Sequence, residues 1–540
     1  MNRRSFLLVA ASGVATAAAG SAAGIWRWKE ISPEIDRPGQ REGHWLRDHP
    51  VLPPVSRVLE TDVAILGSGV AGLTAAWKLR REGFHRFMLV DGPHPYGNAA
   101  AGSFEDLVFP TGAHYLPAPS IEAFHVRELL HDLGVLLGDS RAESPQYDER
   151  FILHAPEERV FHRGSWQEGL VPSEGIPSSE LAEMRRFSQK MEQLRNTCGS
   201  DGRRVFVLPA ALSSTDPVWR SLDRLTFREW LINEGYTSPT LFWYANYCCR
   251  DDYGASADGV SAWAGLHYFC SRSSQGGETE SEARLWLTWP DGLHALARGM
   301  EKLARPERHR GMAARVRRAG GGAEVLCVDL QSPQPKSYLI RARTVICAMP
   351  LMVSTRIVEG IGDFGFEPAL HLPEYAPWIV ANFLMRRFPR ELPKAPLCWD
   401  NVVYDTKGLG YVVSTHQLIR ASRLQKTVFT AYHALTEKSP KAARAWMTTA
   451  TASELLELAS SDLRQVYGHS LRSCVERVHI TLHAHAMAIP RRSFLQNTGL
   501  QALCAADGPV LFAHSDLSGF SVFEEASWWG YQAAVRAMNR

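Results

Sequence analysis

The sequence predicts an α/β fold built around a βαβ unit that binds a dinucleotide, and three features within residues 62–91 predict it. Asp62-Val63-Ala64-Ile65-Leu66 reads as a buried strand. Gly67-Ser68-Gly69-Val70-Ala71-Gly72 then completes a G-x-G-x-x-G, and residues 73–81 continue with Ala- and Leu-rich helical character. A second strand over 87–90 ends on Asp91, roughly 20 residues past the last glycine. The arrangement is Rossmann-like, and each part has a physical task. Gly67 permits the tight turn, Gly69 lets a pyrophosphate reach the backbone, and Gly72 allows helix and strand to pack closely. The backbone of Ser68, Val70 and Ala71 completes the cradle at a helix N-terminus, while Asp91 can accept ribose hydroxyls. The motif does not say which dinucleotide.

The N-terminus bears on that choice. Asn2-Arg3-Arg4-Ser5-Phe6-Leu7-Leu8 and the mildly apolar, Ala-rich run that follows, over residues 1–24, resemble a twin-arginine export signal. A Sec signal and an uncleaved membrane anchor are the alternatives. The twin-arginine machinery exports folded proteins, often with the cofactor already bound. A diffusible nicotinamide pool is not expected outside the cytoplasm, so a tightly held flavin is the better tenant. The expected location is the periplasm, with membrane contact only through an uncleaved signal. Residues 25–60 read as a tether, because Pro33, Pro38, Pro50, Pro53 and Pro54 interrupt any long helix. Trp26, Trp28 and Trp45 are expected to pack on the body, with a place at a membrane surface as the alternative.

Composition fits a large enzyme of two or three domains: 540 residues, 45% hydrophobic and 21% charged. A formal net charge of +2 gives no electrostatic case for nucleic acid. Beyond the signal no apolar run reaches the roughly 20 residues needed to span a bilayer. Nine cysteines are scattered without C-x-x-C, and an odd count argues against a full disulfide framework. Cys327 and Cys347 sit in apolar runs and read as core thiols. No metal-ligand spacing is present, and no Cys or His stands in a flavin-attachment motif, so non-covalent binding is expected.

Five segments together resemble the flavin-dependent amine oxidase and phytoene desaturase family, which includes protoporphyrinogen oxidase. The first is the glycine motif through Asp91 and Gly92. The second is Tyr96-Gly97-Asn98 with Pro110-Thr111-Gly112-Ala113-His114-Tyr115, similar to the family's glycine loop and its Gly-rich strand beside the flavin. Asn98 stands where the family often has arginine. The third, Trp289-Pro290-Asp291-Gly292-Leu293-His294, resembles its P-x-G-G turn. The fourth runs from Gly311 to Pro350, with strands at 313–316, 324–329 and 344–347 and a Gly320-Gly321-Gly322 turn. There the resemblance implies backbone contact with adenine near Ala313. The fifth, Phe512-Ala513-His514-Ser515-Asp516, resembles F-A-G-x-E and leads into Ser521 and Val522, where a helix start lies beside the flavin.

The resemblance therefore implies non-covalent FAD in a Rossmann-like domain assembled from residues 61–124, 289–350 and 476–540. An α+β substrate domain is expected from 125–288 and 351–475. Within it Arg250-Asp251-Asp252-Tyr253, His267-Tyr268 and Trp399-Asp400-Asn401 are polar candidates near a ligand, against the plainer reading of helix caps and domain interface. Alternation after Gly410 suggests a strand with one face toward a pocket, and His416 reads best as structural. Many family members hold a lysine near the reactive flavin nitrogen. The comparable place here holds Ala381 or Asn382, which favours passing electrons to a carrier partner over rapid reaction with oxygen. Phe520 can supply one aromatic wall in front of the flavin, and Trp263, Tyr268 or Tyr411 the other.

The expected activity is oxidation of an amine, a polyamine among the candidates, by hydride transfer to FAD, with Phe520, Tyr411, Asp251 and Asp252 as catalytic candidates. A desaturase or isomerase of an apolar polyene-like substrate is the first alternative. A non-catalytic periplasmic protein holding FAD for a partner is the second. Carboxylates lining the pocket would favour the amine, and a long apolar tunnel the polyene.

Overall fold

A computed structural model describes residues 31–540 apart from 273–284, 332–333, 393, 419–421 and 423. The signal read in residues 1–24, with Trp26 and Trp28, lies outside the described residues.

Two mixed sheets organise the chain. In the first, the strands Val55–Leu66 and Phe87–Val90 pair in parallel, and Val63, Ala64, Ile65 and Leu66 are fully buried. Their unbroken apolar run is what a strand covered on both faces requires. The sheet order is 307–309, 87–90, 55–66, 336–347, 322–329 and 312–319. The strand Lys336–Cys347 serves two partners along one edge. Its first half pairs antiparallel with Gly322–Asp329, and its last three residues pair in parallel with Val510–Phe512. The chain turns between Met312–Ala319 and Gly322–Asp329 through Gly320 and Gly321, whose φ angles of 55° and 81° suit glycine. The helices Val70–Arg81 and Phe523–Met538 cross over the sheet. A Cβ at Gly530 would stand 2.1 Å from the Ala71 carbonyl, so only glycine lets the second helix approach the first.

The second sheet has eight strands in the order 34–36, 475–488, 375–385, 427–434, 411–413, 400–403, 158–162 and 165–168. Side chains alternate between its faces. Trp378, Val380, Val412 and Tyr432 point to one core, with the helices Pro239–Tyr253 and Ala262–Cys270. Ile379, Ala381, Tyr411, Phe429 and Ala431 point to the other, under the helices of residues 440–474.

Three boundaries differ from the sequence reading. The stretch 25–60 is not a plain tether, because Glu34–Asp36 adds a parallel strand beside His479–Thr481 and Val55 onward already belongs to the first sheet. Pro33 and Pro38 flank that three-residue edge strand, where they interrupt no ladder. Trp45 lies in the helix Gln40–Asp48 and stacks on His49 at 4.6 Å. The helix Phe124–Asp132 buries Val126, Leu129 and Leu130 in the first core, so the crossing into the second domain comes later than 125. The strand Val475–Ala488 lies in the second sheet, which moves the return to the first domain from 476 to beyond 488.

Candidate active site

The glycine loop is built as its spacing requires. Gly67 has φ 105°, and a Cβ there would meet the Ala348 carbonyl at 2.8 Å. A Cβ at Gly72 would stand 1.9 Å from the Gly67 carbonyl, whereas one at Gly69 would meet nothing within 4 Å. Gly67 and Gly72 are thus fixed by the protein's own backbone, and Gly69 leaves open space above the helix end. Gly69 caps the helix of Val70 and Ala71 without a side chain, which keeps first-turn N–H groups free for an anion. Ser68 Oγ donates to the Asp91 carbonyl at 2.8 Å and ties the loop to the second strand.

Arg308 grips Asp91 through Nε at 2.7 Å and Nη2 at 2.5 Å, both on Oδ1, which leaves Oδ2 for ribose hydroxyls. Sequence reasoning missed Arg308, which comes from a strand 217 residues away. Gly92, with φ 77°, has open space where a Cβ would stand, and a Cβ on Gly97 would come within 3.6 Å of Gly69 Cα. The loop after Asp91 therefore lies over the phosphate cradle. Asn98 Nδ2 donates to the Ala486 carbonyl at 2.7 Å, a link between domains in place of the family's arginine. Ala313 sits at a bulge in the outer strand of the first sheet.

Asp516 is buried and accepts from Tyr375 Oη at 2.6 Å and from the Leu351 N–H at 2.9 Å. Its Oδ1 has only His514 Nδ1 nearby, at 3.2 Å, and that nitrogen already accepts the Asp516 N–H. Burial pushes this carboxyl up, but His514 and the donors around it outweigh burial and hold it below the usual range. An ionised, under-donated oxygen beside a glycine cradle fits the polyol of a dinucleotide. The residues present fit FAD.

Beyond the cradle a cavity runs from Gly112 and Ala113, past Trp378 and Val380, to Ser521 and Val522 at the start of the helix Phe523–Met538. Ser521 Oγ accepts the Ala488 N–H at 3.1 Å. His114, Tyr115, Asp251 and Tyr432 also border a second, smaller chamber. Tyr247, Tyr268, Trp286 and Trp399 make its aromatic walls, and Asp400 and Glu157 join Asp251 there. His114 stacks on Tyr432 at 4.6 Å, and Tyr115 meets Trp286 edge-on at 5.0 Å. Tyr247 and Asp251 stand four residues apart on one helix, which puts both on the chamber side. That spacing was the available signal for Tyr247.

Burial, and then the charge of Asp252, pushes the Asp251 carboxyl up to about 7. Burial, and then Asp251, raises Asp400 well above the usual carboxylate range. Burial lowers His114 to about 3, so this ring is neutral. Asp252 lines only the larger cavity and faces Arg272 at 3.8 Å.

Two expected catalytic residues lie elsewhere. Tyr411 borders the chamber, but its phenol belongs to the reverse face, hydrogen-bonded to Tyr467 Oη at 2.6 Å and stacked on Phe429. Its neighbour Val412 faces the chamber side. Phe520 is sealed in a stack with His267 at 4.8 Å and Trp263 at 6.0 Å, and it lines neither cavity. Of the aromatic partners suggested for it, Tyr268 lines the chamber and Trp263 lines neither cavity. At the position compared with the family's lysine, Ala381 faces the reverse core and Asn382 is tied to Thr430 and the Pro110 carbonyl. Trp378 and Val380 are the residues of that strand on the cavity wall. His416 is structural, within 3.2 Å of the His154 carbonyl.

Residues 65–133 match the sequence profile of an NAD(P)-binding Rossmann-like domain. A search of curated protein sequences finds no significant match. Among solved structures, a putrescine oxidase bound to putrescine is similar at 17% identity and a TM-score of 0.60, over 89% of this chain and 100% of that one. Cyclohexylamine oxidase from Brevibacterium oxydans IH-35A is similar at 16% identity and a TM-score of 0.59, over 89% and 100%. A fatty acid isomerase from P. acnes that produces CLA is similar at 15% identity and a TM-score of 0.57, over 88% and 98%. The chain has the α/β fold, with its Rossmann-like domain, that these three proteins share.

Proposed function

We propose that this chain is an FAD-dependent oxidoreductase, exported folded to the periplasm, that oxidises an amine of the polyamine class. The observation that carries the reading is the aromatic chamber with Asp251 and Asp400 in its walls, which shares His114, Tyr115, Asp251 and Tyr432 with the cavity at the helix start. Bound non-covalently, FAD supplies the hydride acceptor, and the amine leaves as an imine that water hydrolyses.

The protein's part is binding, orientation and proton management. Aromatic faces and carboxylates hold an ammonium group better than either does alone. Only the neutral amine can release hydride readily, so a group must take its proton. Asp251, on the wall common to both cavities and near 7 in pKa, is suited to that task. Neutral His114 adds no competing positive charge beside it. Neither Ala381 nor Asn382, at the place compared with the family's lysine, brings an amine to the cavity wall, which supports a separate electron carrier as acceptor. Asp252 remains a candidate through Arg272, not through direct contact with the chamber.

A second reading, isomerisation or desaturation of an apolar substrate, is favoured by the apolar part of the larger cavity, where Leu116, Pro117, Met487 and Val522 lie. The third, a non-catalytic FAD protein, predicts no reaction with any donor. One experiment separates them: the visible spectrum of purified protein before and after anaerobic addition of mixed polyamines. Bleaching of a flavin spectrum is the expected outcome. A persistent flavin spectrum with turnover of an unsaturated fatty acid would move the reading to the isomerase, and a colourless folded protein would overturn FAD binding itself.

A further inference from the structure

Arg250 precedes Asp251 on the helix Pro239–Tyr253, is only 5% exposed, and lines neither cavity. Taking a guanidinium out of water is costly, so the return must lie in what it binds. Nη1 donates to the Lys407 carbonyl at 2.9 Å and Nη2 to the Gly408 carbonyl at 3.3 Å. Both carbonyls belong to residues 404–410, the turn that joins the strands 400–403 and 411–413. Trp243 packs on Tyr404 at the start of that turn, with ring centroids 4.4 Å apart, and Tyr247 Oη donates to the Leu409 carbonyl at 3.4 Å. Positions 243, 247, 250 and 251 form one stripe of the helix. A single helix face thus holds the turn and presents Tyr247 and Asp251 to the aromatic chamber.

Leu409 is where the turn meets the chamber. It lines the chamber and not the larger cavity, and its N–H donates to the Tyr432 carbonyl at 2.9 Å. Two of the chamber's aromatic residues, Tyr247 and Tyr432, are therefore tied to the backbone of this one leucine. The next N–H, of Gly410, donates to Asp462 Oδ2 at 2.9 Å. The outer part of the turn is weakly held without Arg250. The Lys407 ammonium reaches Glu437 at 3.1 Å, but both side chains are more than half exposed, and such pairs contribute little.

We infer that Arg250 is a positioning residue for substrate selection: its grip on the Lys407 and Gly408 carbonyls makes Leu409 a fixed wall, which sets the bore of the chamber for a slender, unbranched amine. The inference rests on the amine reading above. Arg250 touches no reacting atom, and neither hydride nor proton passes through it. An amine with a bulky N-substituent must displace Leu409, and with it the backbone partners of Tyr247 and Tyr432, so the wild-type chamber rejects it.

The test compares wild type, R250M, R250K and L409A as holoproteins, from initial rates with an artificial acceptor on 1,4-diaminobutane and on its N-benzyl derivative. R250M is expected to raise KM for 1,4-diaminobutane about tenfold while kcat moves less than about threefold, because binding is lost and not transition-state stabilisation. The ratio of kcat/KM for 1,4-diaminobutane to that for the N-benzyl derivative should fall by about tenfold in R250M, as the loss of one or two hydrogen bonds implies. R250K keeps the charge without the guanidinium fork and should recover part of the ratio. L409A should lower the ratio while leaving Arg250 in place. Should R250M fail to fold, R250K and L409A decide. A purely structural role would lower the active fraction and the rates on both amines alike, so an unchanged ratio in the variants would overturn the inference. So would a fall in kcat with both KM values unchanged, since Arg250 would then act on the chemistry at Asp251. A wild type that reacts with neither amine sinks the amine reading and takes the inference with it, whereas a reactive wild type beside variants of unaltered selectivity sinks the inference alone.

Discussion

Burial and the neighbouring charge of Asp252 push the Asp251 carboxyl up to about 7, and that one shift has two consequences of opposite sign. For binding and proton removal the ionised form is needed, so kcat/KM for an amine should fall as pH drops through about 7. Asp251→Asn should lower kcat/KM by at least ~100-fold and remove that limb of the profile, read from initial rates with an artificial acceptor. For stability the sign reverses. The folded pKa lies above the unfolded value, so the protonated group contributes stability at low pH, and that stability is lost as pH rises through about 7. Asp251→Asn should therefore raise the unfolding free energy of the apoprotein near pH 8 by on the order of 2–4 kcal/mol, with no gain below about pH 4. A variant that is less stable near pH 8 would show that Asp251 is a structural residue and not a carboxylate kept at a cost for function.

At the scale of elements, the glycine motif was readable because each glycine answers a local demand. Gly72 faces the Gly67 carbonyl at 1.9 Å from a would-be Cβ, while Gly69 faces only open space. Gly72→Ala should thus unfold or strongly destabilise the protein. Gly69→Val should leave the apoprotein's Tm near wild type and weaken FAD binding, measured by titration of the apoprotein. Equal losses of stability in both would contradict a pyrophosphate at Gly69. The second sheet was half legible. Alternation after Gly410 marks a strand, but nothing local says which parity faces the ligand, and a shift of one residue exchanges the faces. Pairing settles it: Tyr411 lies opposite Ala431, and both face the helices of 440–474. Tyr432, from the strand Thr427–Ala434, takes the place expected of Tyr411. Tyr411→Phe should cost about 1 kcal/mol of stability without changing KM, whereas Tyr432→Leu should raise KM for amines about 3- to 30-fold. Arg308 was invisible for another reason, since its partner Asp91 is remote in sequence.

The whole molecule places its chemistry between two sheets whose cores are separate, so the cavities depend on both domains holding their positions. Links such as Asn98 to the Ala486 carbonyl and His483 to the Thr111 carbonyl, at 2.7 Å each, join them. Nothing in that framework calls on a disulfide. All nine cysteines are free, and burial pushes the thiols of Cys327 and Cys347 up to about 12. Such thiols stay protonated and unreactive at neutral pH. Of the nine, only Cys198 is exposed. On the proposed export route the chain would complete its fold in a reducing cytoplasm and have no need of oxidation. Protein recovered from the periplasm should therefore show one rapidly titrating thiol when native and nine in denaturant, and reductant should leave its Tm unchanged. Recovery of fewer than nine thiols in denaturant, with a Tm lowered by reductant, would mean that cross-links form after export. Replacement of Arg3 and Arg4 by lysine tests the route itself, since a folded holoprotein should then be retained in the cytoplasm with its flavin and all nine thiols intact.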